Sequence, residues 1–177
     1  MSVDHVKSTI ITNLDATPVV PPTAGEGGPA PLKFNEGFAT AVASSSVGAT
    51  YQLVRIPSNA KVKSIMFESE AQTAGKFDLG LFYATDGGGN KPTSLLVAAA
   101  IDADFFATAI DCASAVATTE VMNESGTYTL DKRNQPIWQA AGLTSDPGGF
   151  FDIVASVITT AVTTGTGKFG IRVSYTD

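Results

Sequence analysis

Histidine occurs once in the chain, as His5, and cysteine once, as Cys112. A Ser-His-Asp or Cys-His relay needs its imidazole held rigidly beside the nucleophile. His5 sits in a stretch with nothing to hold it, so nucleophilic catalysis has no support. A zinc site of the Cys/His kind lacks its ligands altogether. Gly165-Thr166-Gly167-Lys168 invites comparison with a phosphate-binding loop. That loop needs glycine where Val162 stands and a hydroxyl residue where Phe169 stands, and it must lead into a helix. The segment reads instead as a turn between strands.

Two acidic groupings and one aromatic set call for the same test. Asp102 and Asp104, with Asp111 nearby in sequence, are oxygen donors of the type calcium takes, but the run lacks the glycine and spacing of an EF-hand loop. It reads as a solvated strand edge, with no metal expected. Glu68 and Glu70 fall on one strand face, whereas a glycosidase sets its two carboxylates across a cleft. Trp138, Phe105, Phe106, Phe150 and Phe151 would be the members of any carbohydrate platform, yet Phe-Phe pairs in a sandwich usually divide between the core and a covered face. The expectation is a protein with no catalytic residue and no cofactor, not an enzyme.

Composition favours a structural role. Of the 177 residues 44% are hydrophobic and only 16% charged, sparse for a monomer that must solvate its whole surface, so part of that surface is expected to be covered by neighbours. The net charge is −6 without any dense Lys/Arg cluster, which argues against wrapping a nucleic-acid backbone. No run of 18 apolar residues occurs and no signal-peptide core is evident, so neither a membrane span nor export is expected. The lone Cys112 excludes an internal disulfide and reads as a small buried hydrophobe.

The elements that must carry any function are short strands between turn signals. Strands are expected over 38–43, 50–56, 61–69, 76–84, within 95–110, over 118–122, 150–162 and 168–176. In 61–69, Lys61, Lys63, Ile65 and Phe67 share one face. In 76–84, Phe77, Leu79, Leu81 and Tyr83 alternate with Asp78, Gly80 and Phe82. The last two strands read as a hairpin closed by Thr163-Thr164-Gly165-Thr166-Gly167. One helix of about two turns is expected at 135–142, with Pro136 at its first position and Gly142 beyond its last. The fold class is all-β: a jelly-roll-like antiparallel β-sandwich with one short helix. Leu79, Leu81, Val154, Ile171, Val173 and Trp138 are expected in its core.

Residues 1–36 read as an extended N-terminal arm, and 37–177 as the sandwich domain. The arm holds five of the nine prolines and the run Ala24-Gly25-Glu26-Gly27-Gly28, while its one apolar cluster is the pair Ile10 and Ile11. Such a segment cannot offset its own ordering entropy; it stays mobile or borrows a partner's surface, on which it would add a strand to an exposed edge. Ile10, Ile11, Asn13, Asp15 and Pro18 are the candidate partner-binding residues.

Four strings, in order, carry a resemblance: Val6-Lys7-Ser8-Thr9-Ile10-Ile11-Thr12-Asn13-Leu14-Asp15-Ala16-Thr17-Pro18, Val54-Arg55-Ile56-Pro57-Ser58-Asn59-Ala60-Lys61-Val62, Phe77-Asp78-Leu79-Gly80-Leu81-Phe82, and the stretch from Pro136-Ile137-Trp138 to Leu143-Thr144-Ser145-Asp146-Pro147. In these the chain resembles small structural proteins encoded among the head genes of tailed bacteriophages. In architecture it is similar to the cement or decoration proteins of such heads. The resemblance implies a virion protein on the outer capsid surface, made in the bacterial cytoplasm, that binds the major capsid protein and itself as a dimer or trimer. It carries over no single binding residue. The competing expectation is a virion-surface module that binds a glycan or receptor through exposed aromatic residues.

Overall fold

The computed structural model describes residues 17–18, 31–42, 45, 47–72, 74–84, 100–158 and 167–177. Eight strands form two four-stranded antiparallel sheets: β1 (Lys33–Thr40), β8 (Lys168–Thr176), β3 (Lys61–Ser69) and β6 (Val116–Glu120) in one, and β2 (Thr50–Pro57), β7 (Phe150–Val157), β4 (Lys76–Tyr83) and β5 (Ala100–Asp111) in the other. The sheet orders are β1-β8-β3-β6 and β2-β7-β4-β5. The chain changes sheet at every connection but β4 to β5, which is the jelly-roll winding expected from the sequence.

The core lies where the sheets face each other. Val62, Ile65 and Phe67 of β3 and Phe169, Ile171 and Val173 of β8 meet Phe77, Leu79 and Leu81 of β4 and Phe151 and Ile153 of β7. The ring of Phe169 crosses the gap to stack on Phe77 at 4.7 Å, and Tyr51 meets it edge-on at 5.1 Å. Such offset and edge-to-face geometries add to what burial contributes. Leu79, Leu81, Val154, Ile171 and Val173 are buried as expected, as is Cys112, whereas Trp138 is only partly buried.

The structure corrects several sequence-based expectations. The two final strands are not a hairpin. β7 lies between β2 and β4, and β8 between β1 and β3, in opposite sheets. Each has both ladder edges occupied, so neither has an edge left for the other. Their alternation reports which residues face the core and says nothing about which strand is the neighbour. The first strand begins at Lys33, within the segment read as arm, and not at Phe38. In β3 the register slips between Val62 and Ser64, so Lys63 is an extra residue and Val62 joins Ile65 and Phe67 in the core. The freed Lys63 ammonium donates to the Arg133 carbonyl at 2.8 Å and Asn134 Oδ1 at 2.7 Å. Strict alternation could not foresee this bulge.

The helix α1 is a single turn, Ile137–Ala140, preceded by a 3-10 turn, Leu130–Asn134, that the sequence reading missed. Pro136 has ψ 144° and stands outside the helix as its N-terminal cap. Gly142, at φ 81°, ends it: its N–H donates to the Gln139 carbonyl and that of Leu143 to the Trp138 carbonyl, a Schellman closure. The Ile137 N–H donates to the Ala60 carbonyl at 2.8 Å, which ties α1 to the turn between β2 and β3.

β5 departs most from ideal pairing. Between Ala107 and Asp102 it spends five residue steps against two from Leu79 to Leu81 on β4. The excess lays the Ala103 carbonyl over Gly80, 2.4 Å from where a Cβ would stand, and sends both Phe105 and Phe106 inward against Tyr128. Across the second sheet, the buried Asp152 of β7 accepts two bonds from Arg55 of β2, at 2.6 and 2.9 Å, so its charge is paired where it is desolvated.

Leu81→Ala is expected to cost about 2–4 kcal/mol in urea unfolding, because the methyl groups removed lie between two rigid sheets that cannot collapse onto the gap.

Candidate assembly surface

The outer face of the β1-β8-β3-β6 sheet follows row by row from the strand register. Phe38 pairs with Gly170, and Gly170 with Glu68; on either side, Glu36 pairs with Arg172 and Arg172 with Met66, and Thr40 with Lys168. All of these but Thr40 border a concavity of about 490 Å³, completed by Val116 and Thr118 of β6. Gly170 is its floor: a Cβ there would fall 2.7 Å from the Gly37 carbonyl oxygen and 2.9 Å from Phe38 Cβ.

β1 forms one wall and has an inverted pattern. Its outward positions carry Phe34, 61% exposed, and Phe38, 74% exposed, while its inward positions carry Asn35, Gly37 and Ala39. The cause lies beneath it. The backbone of β2 runs so close that a Cβ on Gly37 would stand 1.9 Å from the Leu53 carbonyl oxygen, and the Asn35 amide donates to the Arg55 carbonyl at 2.8 Å. Large side chains have no room inside, so they face out. Leu32 and Val42, just beyond the two ends of the strand, are exposed too. An edge strand with two exposed aromatics on its outer face is what a monomer avoids and an assembly uses.

The polar groups of this face hold one another only loosely. Arg172 reaches Glu36 at 3.5 Å, with both side chains more than half exposed, so the pair contributes little to stability. Glu68 accepts a hydrogen bond from the Thr118 hydroxyl at 3.0 Å and has no cationic partner among the described residues. Glu70 lies past the end of β3, where its carboxylate accepts from the Lys168 N–H at 2.8 Å; its role is to close a strand end.

Of the sequence-based partner-binding residues, Ile10, Ile11, Asn13 and Asp15 lie outside the described residues, and Pro18 is exposed in a bend with Thr17. The aromatic candidates do not form a platform. Phe105, Phe106 and Phe151 are buried, Trp138 packs partly into the core, and Phe150 alone of the five is exposed. The sequence reading missed Phe34 and Phe38 because it looked for aromatics on core-patterned strands. Two phenylalanines four apart, interleaved with Asn35, Gly37 and Ala39, were the available signal.

The acidic residues of β5 separate. Asp102 pairs opposite Leu81 and Asp111 opposite Lys76, nine residues apart along one strand. Partial burial, followed by a side-chain hydrogen bond with Asp104, raises the pKa of Asp102, against the opposing pull of the Asp104 N–H that its carboxylate accepts at 3.3 Å. Among the described residues no three His, Cys, Asp or Glu side chains come together as metal ligands. No helix among them is long and apolar enough to cross a membrane.

Comparison with known proteins gives a likeness of fold. The chain matches no protein family and no curated protein. Among solved structures, a chain of the cyanophage Pam1 capsid asymmetric unit is similar, with a TM-score of 0.51 and 13% identity, covering 92% of this chain and 96% of that one. At that identity the likeness is one of fold. It extends over nearly the whole of both chains, so it concerns the complete jelly roll and not a shared hairpin.

Cys112 offers no reactive centre on this scaffold. Burial pushes its thiol up to about 11 against an opposing hydrogen bond from Ser69, with the Asp111 charge adding to the rise. Burial likewise raises Tyr128, whose hydroxyl donates to the Val62 carbonyl at 3.0 Å. Both groups hold their protons longer folded than unfolded, so stability present below pH 9 is lost as pH rises through the folded thiol value of about 11. Thiol titration at pH 8 should find Cys112 unreactive until denaturant is added, and urea midpoints should fall between pH 9 and 11; Cys112→Ser should flatten part of that fall. A thiol that reacts in the native protein would contradict the burial.

Proposed function

We propose that this chain is a cement, or decoration, protein of a tailed-bacteriophage head. On this reading it sits on the outer capsid surface, binds major capsid protein subunits and further copies of itself, and works without catalysis or cofactor. The observation that carries the proposal is the outward-facing Phe34 and Phe38 on the edge strand of an otherwise well-packed jelly roll. A rigid β-sandwich with an apolar edge suits a task in which many weak contacts, repeated by symmetry, resist pressure from within. The resemblance of the sequence strings to head-gene products and the likeness of fold to a chain of a phage capsid both support it.

The competing reading, a glycan- or receptor-binding module, asks for a concave face lined by Trp or Tyr. Trp138 is engaged with the core, and the two most exposed aromatic residues described, Phe34 and Phe38, are phenylalanines on an edge strand, the arrangement of a protein-protein contact.

Two experiments test the proposal. Heads lacking the protein should release DNA at lower temperature or under osmotic stress, and adding it back should restore resistance; stripped heads that are equally robust would favour the receptor-binding reading. A truncation must respect β1, which begins at Lys33. Removing residues 1–30 is expected to leave circular dichroism and melting unchanged while severely weakening co-sedimentation with heads. Undiminished binding by the truncated protein would remove the arm from the mechanism.

A further inference from the structure

In the row Phe38, Gly170, Glu68 and Thr118, an aromatic residue and a carboxylate border the same concavity with a glycine between them. β1 and β3 flank β8, so Phe38 and Glu68 stand two strand spacings apart, roughly 10 Å between backbones. Gly170 contributes no side chain between them. The result is a slot with a hydrocarbon face on one side, a carboxylate without a cationic partner on the other, and a backbone floor. Glu68 is already oriented, because the Thr118 hydroxyl donates to Oε2 at 3.0 Å, and among the described residues its carboxylate accepts no other hydrogen bond.

We propose that this slot receives an arginine side chain of the coat subunit on which the protein sits. The partner's identity rests on the cement reading; the slot's chemistry does not. A guanidinium is planar, stacks on an aromatic face and donates in parallel to a carboxylate, so one group satisfies both walls. The sign of the charge agrees. Around the concavity stand Glu36, Glu68 and Glu70 against Lys168 and Arg172, an excess of one negative charge, and Arg172 is turned to Glu36 in the neighbouring row. The chain as a whole carries −6, so a basic partner surface is attracted at long range as well. A neutral sugar could stack on Phe38, but it would leave the Glu68 charge without a counterpart.

The test uses the full-length protein in two arms. In co-sedimentation with heads lacking the protein, Phe38→Ala and Glu68→Gln are each expected to weaken binding by about tenfold, while Phe38→Tyr keeps wild-type affinity. Both positions are exposed, so melting temperatures should not move. Binding by Glu68→Gln should also fall less steeply with added salt. In the second arm, the isotope-labelled protein is titrated by nuclear magnetic resonance with millimolar acetyl-Gly-Arg-Gly-amide, its glutamine counterpart, and maltohexaose. Shifts centred on Phe38, Gly170 and Glu68 are expected with the arginine peptide alone. Variants that bind heads as well as wild type does, or shifts produced by maltohexaose in place of the arginine peptide, overturn the slot. If wild type itself fails to bind heads while the arginine shifts persist, the cement reading falls and the slot stands.

Discussion

The close approach of β2 beneath β1 governs much of what this molecule presents to its surroundings. With the Leu53 carbonyl 1.9 Å from where a Gly37 side chain would begin, the inward positions of β1 have to be small or hydrogen-bonded. Glycine, alanine and an asparagine that donates to the β2 backbone occupy them. Once the interior is closed to bulk, the strand's larger side chains have one direction left. The exposed Phe34 and Phe38 therefore follow from how the two sheets are joined along this edge. The strand trades the burial that a core-facing phenylalanine would gain, about 2–3 kcal/mol for each ring, for a surface that another molecule can cover.

The remainder of the sandwich is conventional enough to hold that edge in place. β8 is hydrogen-bonded on both sides and fully packed on its inner face, so the floor beneath Gly170 is among the least deformable parts of the fold. Rigidity matters for a binding surface of this kind, because side-chain ordering at the moment of contact is subtracted from whatever the contact gains. Glu68 is held by Thr118, and Phe38 is limited by the strand on which it stands. The desolvated charge of Asp152 is matched by Arg55 on the opposite sheet, away from this face, so the outer surface is not needed to satisfy the interior.

Much of the architecture was legible in the sequence, and the losses have particular causes. The strands 61–69 and 76–84 were readable because one of their faces is buried against the other sheet, and hydrophobic alternation is the trace of that burial. β1 was misplaced because its alternation runs the other way, with the large side chains outside. The bulge at Lys63 was invisible because a single inserted residue costs the pattern one step and its side chain finds carbonyl partners on a distant turn. The supposed final hairpin failed for a topological reason: glycine-rich turns look alike whether they join neighbours in one sheet or cross between two. The proposed binding surface was the least legible part, since its rows are assembled from four strands, and no local window contains both Phe38 and Glu68.

On the cement reading, two contacts of different character meet on one strand. The arm, if it adds a strand to a neighbour, would bind through main-chain hydrogen bonds that are indifferent to side-chain identity. The outer face of the first sheet would discriminate, through a ring, a carboxylate and the space between them. β1 is common to both, because the arm leads into it at Lys33 and the exposed rings stand on it. Tension on the arm would therefore be delivered to the strand that also carries the specific contact, and from there into β8 at the centre of the sheet. Linking the two contacts through a short covalent path makes the second binding event intramolecular once the first has formed. Individually weak interactions can hold a lattice in that way, and neither has to be strong enough to stall assembly in a wrong position.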